Sequence, residues 1–460
     1  MKFLNRKKEI AGINKSLSFD EARLIVVYGR RRLGKTRLLQ QIKGNKTLYF
    51  VADQREKTMQ IESFVKTLSS RFSGFDSVKY PDWESVFYML NQHSDEKFVL
   101  IIDEFPYLVK NAPELPSLFQ KIFDSRDNLK YHLVVCGSSQ QMMHKLVMDY
   151  TAPLYGRADI ILKIGPMNIF WIKEALQCSY IEAVEEFSVW GGVPRYWEIR
   201  EKEQSLKEAV INQLFDVNGL LYEEPFRLFL DDTNDIVQMS TIISIIASGA
   251  NRLSEVASRI AKPSTHLNRP LNKLIELGYL KREIPFGLND KNAKKTLYKI
   301  NDPFISFYYK FVVPNKSAIE IGIGSRIFEE IVAPQLPMHY GSNWEELCRN
   351  SIPFLFPEKL FNPGKRCWGT NIHKQQSEID IIASSNDGTE LIIAEAKWSS
   401  NINVNALIQN LEKKVEGFQV SGKVKKVHKV LFLKELPTKI KNDIIVFTPE
   451  QVINSSGDVK

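Results

Sequence analysis

Gly29-Arg30-Arg31-Arg32-Leu33-Gly34-Lys35-Thr36 decides the reading of this chain. The stretch fits G-x-x-x-x-G-K-[ST]. An apolar, β-branched run, Leu24-Ile25-Val26-Val27-Tyr28, precedes it, and a helical pattern, Arg37-Leu38-Leu39-Gln40-Gln41-Ile42, follows. Strand, loop and helix in that order are the context the motif requires. The glycines let the backbone curl so that N–H groups from Gly29 through Arg37 face phosphate oxygens. The helix adds the positive end of its dipole. Lys35 is placed for the β- and γ-phosphates and Thr36 for a magnesium ion. The side chains of Arg30, Arg31 and Arg32 read as a solvated basic patch. The expected ligand is a nucleoside triphosphate, above all Mg-ATP.

Working outward, further buried runs occur at Thr47–Val51, Phe98–Ile102, His132–Cys136 and Ile160–Ile164, with helical patterns between them. Continuous apolar runs suit strands covered on both faces, so the first 165 residues read as an α/β fold around a largely parallel sheet. The third run ends in Asp103-Glu104. Asp103 is expected to hold magnesium, through water, and Glu104 to polarise the attacking water as general base. The next run ends in Cys136-Gly137-Ser138-Ser139-Gln140. Ser138 or Ser139 could sense the γ-phosphate there, and a plain Ser/Gly turn is the alternative.

The strings GRRRLGKT, LIIDEFPYL, VVCGSSQQMM, PLYGR and GGVPRY occur in that order. Together they resemble the archaeal-type AAA ATPase family, related to the STAND and AAA+ groups. The resemblance implies an extra strand between the P-loop strand and the Asp103 strand. It implies that Phe3-Leu4-Asn5-Arg6-Lys7-Lys8-Glu9 is an opening box near the adenine, and that Pro194 is a lid proline packing on that base. It also implies that Arg157 acts on the γ-phosphate, in cis or from a neighbouring subunit of a homo-oligomer.

At 460 residues the chain is long enough for two or three domains. Hydrophobic residues at 43% and charged residues at 25% are ordinary for globular protein. No apolar run approaches the roughly 18 residues that span a bilayer. The charged N-terminus carries no apolar leader, so a cytoplasmic protein without a membrane partner is expected. Cys136, Cys178, Cys348 and Cys367 are scattered and read as reduced thiols. The net charge of +8 favours a polyanionic partner.

From about residue 166 to 230 the strand signal fades into a helical lid, giving an ATPase domain over 1–230. A second domain is expected over 231–315. Leu253, Val256, Ala257 and Ile260 line one helix face, Pro263-Ser264-Thr265 supplies a turn, and Leu267, Leu271, Leu274, Ile275 and Leu277 line a second helix. A hairpin follows, with the polar segment 287–295 as its tip. The order is that of a winged helix. If it binds DNA, His266, Asn268, Arg269 and Lys273 face the groove or its phosphates. Protein contact or spacing is the alternative use.

The last block, 325–460, carries Ser377–Ser385 and Glu390–Trp398, two strand-like segments. Fourteen residues separate Asp380 from Glu395, the length of a hairpin returning in register, and Lys397 shares a strand face with Glu395. This constellation resembles the PD-(D/E)XK nuclease (restriction-endonuclease-like) fold, which implies magnesium on Asp380 and Glu395, with Lys397 positioning water or neutralising charge. Glu345 or Glu346 could add a ligand. Three functions stay open. One is an ATP-controlled enzyme acting on DNA. Another is an ATP-dependent switch or scaffold whose C-terminal domain only binds. The third is a regulator that binds DNA through the winged helix alone.

Overall fold

Five runs of β-branched and large apolar residues form β1 (Leu24–Tyr28), β2 (Thr47–Val51), β3 (Phe98–Asp103), β4 (Tyr131–Gly137) and β5 (Ile160–Lys163). They pair in the order β2-β3-β4-β1-β5, all in parallel. β1 and β4 are buried along their whole length, which is why they carry no polar alternation. β4 is the strand inserted between the P-loop strand and the Asp103 strand, as the family resemblance implies. Helices Lys57–Ser69, Trp83–His93 and Leu115–Asp124 supply Phe64, Trp83, Phe87 and Phe119 to an aromatic-rich core against the sheet. The computed structural model describes residues 2–42, 46–232, 235–288, 295–420, 422–437 and 443–457. Among these, no helix is long and apolar enough to cross a membrane.

The chain divides into two compact units. The parallel sheet belongs to 2–166 together with 227–234, and the second unit comprises 167–226 and 235–460. The helical segment after Pro166 therefore groups with the C-terminal elements. Asn168 donates to the Ser456 carbonyl at 2.7 Å, and the buried His339 ring meets the Ser188 carbonyl at 2.8 Å.

Within the second unit, helices Ile236–Ala247, Leu253–Ile260 and Asn268–Glu276 precede an antiparallel hairpin of β6 (Leu280–Glu283) and β7 (Leu297–Ile300). Most of the expected hairpin tip, 289–294, lies outside the described residues. Then come β8 (Lys365–Thr370), β9 (Gln376–Ser384), β10 (Glu390–Lys397), β11 (Lys426–Leu433) and β12 (Ile444–Phe447), a mixed sheet in the order β12-β11-β10-β9-β8. Side-chain alternation assigns its two faces. Helix Leu336–Leu355 sets Trp344 against Trp398 and Phe432, while helix Val404–Gly417 sets Leu407, Ile408 and Leu411 in the cluster with Ile393, Leu431 and Leu433.

Candidate functional site

The loop 29–36 is shaped by two positions, 29 and 34, that other residues would occupy only at a cost. A Cβ on Gly29 would stand 2.3 Å from the Ile164 carbonyl oxygen. Gly34, with φ 85°, opens the helix Lys35–Leu39 from the left-handed region. Lys35 is buried and curls the loop from within, its Nζ donating to the carbonyls of Gly29 (2.7 Å) and Arg30 (3.1 Å). Phosphate oxygens are stronger acceptors for the same ammonium.

Thr36 donates from Oγ1 to Asp103 Oδ2 at 2.7 Å. Asp103 ends β3 and is buried. Its other oxygen accepts the Glu104 N–H at 2.9 Å, and Oδ2 also accepts the Tyr49 hydroxyl at 2.5 Å. Burial first, then Asp103, pushes the Tyr49 phenol far above its ordinary range, so it stays a donor. Burial and Asp103 likewise hold the Cys136 thiol protonated. Glu104 adopts φ 54°, a left-handed backbone that costs a non-glycine residue energy and recurs at functional sites. Its Oε2 accepts from Ser138 Oγ at 2.8 Å and from the Ser138 N–H at 3.3 Å. Ser139 instead caps helix Gln140–Val147 by accepting the Met142 N–H. Of the two serines, Ser138 is the one that faces the acidic pair.

The arginine reading needs correction. Arg30 is buried, Arg31 donates to the Tyr107 hydroxyl at 2.8 Å, and Arg32 is half-buried at φ 66°. The curl of the loop buries Arg30 and delivers Arg31 to Tyr107, so the three do not form one solvated patch. Arg6, also buried, joins Glu9 (3.0 Å) to the Gly165 carbonyl (2.6 Å) and pins the opening box. Arg157 makes a two-pronged pair with Asp124 at 2.7 and 3.0 Å and is engaged there. Pro194 heads helix Pro194–Arg200 in the second unit. The structure thus brings together Lys35, Thr36, Asp103, Glu104 and Ser138, joined by Tyr49.

In the second unit, the β9–β10 register runs to Ala394↔Ile381, so Asp380 and Glu395 come next to each other where the hairpin opens. Lys397 Nζ lies 3.2 Å from Asp380 Oδ2 and 3.6 Å from Glu395 Oε2. The Ala396 N–H donates to Asp380 at 3.2 Å. Lys414 donates to the other oxygen of Glu395 at 2.5 Å. Burial and then the Asp380 charge raise the Glu395 carboxyl to about 7, against the two lysines. Burial opposes the charge on Lys397, yet Asp380 and Glu395 hold its pKa above the ordinary lysine value. Glu345 feels the same acid, its pKa raised by burial and then by Asp380.

Glu346 is spoken for differently. Lys281 (2.5 Å) and Arg349 (2.9 Å) bracket it, and they hold its carboxyl at about 2 although burial alone would raise it. Arg349 is buried, reaches Glu345 at 3.5 Å, and donates to the Asp380 carbonyl at 3.1 Å. Glu283 of the β6–β7 hairpin pairs with Lys299 (3.0 Å) and Arg366 (3.3 Å). Ion pairs therefore run from the hairpin through Glu346 to Arg349, which meets the acidic pair only at the Asp380 backbone carbonyl. His266, Asn268 and Arg269 are exposed, and Lys273 is half-buried.

Both places suit magnesium chemically. Each offers hard oxygen donors: a hydroxyl and a carboxylate at Thr36 and Asp103, two carboxylates at Asp380 and Glu395. Among the described residues no three acidic, imidazole or thiol groups gather into an all-protein cage. Magnesium ordinarily takes one or two carboxylates and completes its shell with phosphate and water.

Tyr49, Lys414 and Arg349 escape a motif reading. Lys414 left a trace: it extends the apolar stripe of Leu407 and Leu411 by one more helical step.

Comparison with known proteins places this geometry. A family described as an ATPase domain predominantly from Archaea matches residues 3–197. A second, described as archaeal and bacterial proteins of unknown function, matches 308–413. An uncharacterized ATP-binding protein of Methanocaldococcus jannaschii is 41% identical over 46 residues, 10% of this chain and 78% of its own length. Among solved structures, the Walker-type ATPase of Pyrococcus abyssi shares the fold at TM-score 0.53 and 21% identity, over 67% of this chain and 96% of that one. An uncharacterized M. jannaschii protein is 30% identical over 417 residues, 86% of this chain and 87% of its own. By that near full-length match the chain belongs to the same family as this methanogen protein, and its N-terminal part carries the archaeal ATPase domain.

Proposed function

We propose that this chain hydrolyses Mg-ATP at the P-loop and uses the nucleotide state to control a C-terminal unit that acts on DNA. The observation that carries the first part is the convergence of Lys35, Thr36, Asp103 and a Ser138-held Glu104 at the carboxyl ends of neighbouring strands. Loop amides and Lys35 bind the phosphates. Glu104 takes the proton of the attacking water, and Ser138 sets the direction of its carboxylate. Tyr49 and Thr36 fix Asp103. Magnesium, held by Thr36 and through water by Asp103, neutralises phosphate charge when bound. Arg157 contributes only by exchanging Asp124 for a phosphate, in cis or across a homo-oligomer.

The second unit supports the DNA part. Its three helices and hairpin have the element order of a winged helix, with His266, Asn268 and Arg269 exposed. Asp380, Glu395 and Lys397 form the constellation of a metal-dependent phosphodiesterase, in the mixed sheet expected of a PD-(D/E)XK domain. Asp380 and Glu395 would hold magnesium, and Lys397 would steady the attacking water. We retain the domain division 1–230, 231–315 and 325–460 as part of this reading.

One observation favours a second reading. Lysines contact both oxygens of Glu395, so the acids could be a structural ion cluster in a binding module. Metal-dependent cleavage separates these cases, and duplex DNA added to steady-state ATP turnover tests the coupling. DNA should change the rate of the parent protein, and charge reversal at Arg269 should remove that response. Turnover indifferent to DNA at all salt concentrations would contradict the coupling.

A further inference from the structure

The second unit holds a cleft that the acidic pair does not use. It lies between β8, the end of helix Val404–Gly417 and the segment after β6, with a volume of about 360 Å³. That is enough room for a small organic ligand. Phe286, Trp368, Phe418, Lys295 and Lys414 are among the residues that line it, and the ring centroids of Phe286 and Phe418 lie 6.2 Å apart. No carboxylate stands among the described residues that line it.

Two details shape it further. Gly369 in β8 sits at φ 137°, and a Cβ there would stand 3.8 Å from Lys295 Nζ. A glycine inside a strand marks a place where another group comes close to the backbone. Lys414, on the wall, also donates to Glu395, so one side chain is shared between cleft and acidic pair. Aromatic faces take flat rings, and Lys295, with no acid among the described lining residues, takes an anion. A ligand that joins both is a base linked to phosphate.

We propose that this cleft is a subsite for one nucleotide, its base against the aromatic side chains and its phosphate toward Lys295. The proposal rests on the nucleic-acid reading of the second unit. A free nucleotide and an unpaired nucleotide of a strand share this chemistry.

Cys367 lines the cleft and is half-buried, while Cys136 and Cys348 are buried. Cys178, also half-buried, lies outside the cleft lining and serves as internal control. The full chain, in EDTA so that no strand is cut, is alkylated with N-ethylmaleimide and read by mass spectrometry. The probes are dAMP and a short mixed-sequence single-stranded oligonucleotide, whose binding is followed in parallel by anisotropy. At ligand tenfold above its Kd, alkylation of Cys367 should slow about tenfold while Cys178 is unchanged. Lys295→Glu, at an exposed position, and Trp368→Ala should each remove the protection. Protection by dAMP identifies a free nucleotide as sufficient, and protection by the oligonucleotide alone identifies a strand. Oligonucleotide binding without protection of Cys367 overturns the subsite and leaves the nucleic-acid reading standing. Neither binding nor protection overturns both. Equal protection by tripolyphosphate overturns the base-recognising part.

Discussion

Glu104→Gln separates chemistry from binding at the P-loop. The substitution keeps the side-chain shape, and a glutamine oxygen can still accept from Ser138 Oγ and N–H, now 2.8 and 3.3 Å from Glu104 Oε2. What changes is charge. A hydrogen bond to a charged group is about twice as strong as a neutral one, so the local loss is about 1 kcal/mol. The left-handed backbone at φ 54° is as tolerable for Gln as for Glu. Binding groups at Lys35 and Thr36 are untouched. Proton transfer by a positioned base contributes about 10²–10⁴ in rate, or about 2.7–5.5 kcal/mol of barrier. The variant should therefore lose about 10²–10⁴ in single-turnover ATP hydrolysis while ATP binding, read by a fluorescent analogue, stays within about fivefold, the spread that 1 kcal/mol allows. Near-parental hydrolysis would refute the general-base role. Loss of ATP binding would show that Glu104 shapes the pocket instead.

Other substitutions test the supporting residues. Tyr49→Phe removes one donor to Asp103 while Thr36 and the Glu104 N–H remain. A loss near the low end for a charged hydrogen bond, about 1.5 kcal/mol, should raise the magnesium needed for half-maximal turnover about tenfold. An unchanged magnesium titration would remove Tyr49 from the site. Arg349→Ala strips the buried partner of Glu345, Glu346 and the Asp380 carbonyl. Breaking a buried pair costs about 3–5 kcal/mol, and the partial exposure of both acids argues for about 3. A urea midpoint for the second unit equal to the parent's would contradict this. His339 is buried against the Ser188 carbonyl, and burial, helped by Lys310, lowers its pKa to about 4. Between an ordinary histidine pKa of about 6.5 and that value the unfolded chain binds a proton that the folded chain does not, so stability falls as pH drops, by about 2 kcal/mol at pH 5. His339→Gln should flatten that part of the pH profile in denaturant melts, and an identical slope would assign the loss elsewhere.

The parallel sheet is legible in the sequence because β1 and β4 are buried on both faces and so read as unbroken apolar runs. The P-loop is legible because its chemistry sits in eight consecutive residues. Asp103-Glu104 is legible because a carboxylate pair ending a buried strand has few other uses. Tyr49 is invisible to such reasoning. Its hydroxyl reaches Asp103 only because β2 lies beside β3, fifty-four residues away in the chain. Arg30–Arg32 misled for a related reason. Three consecutive charges suggest solvent, but the loop's curl buries Arg30 and delivers Arg31 to Tyr107. In the second unit the hairpin spacing brings Asp380, Glu395 and Lys397 together, whereas Lys414 and Arg349 come from helices on opposite faces of the sheet. The edge strand β8, Lys365–Thr370, gave no pattern to read, being half-exposed over most of its length.

The most direct test of the account is cleavage. The full chain is incubated with plasmid, linear and single-stranded DNA in magnesium or manganese, with and without ATP, beside Asp380→Ala. The account predicts metal-dependent cutting by the parent, none by the variant, and a rate that changes with ATP. DNA left intact by the parent under every condition, or cut equally by Asp380→Ala, would contradict it.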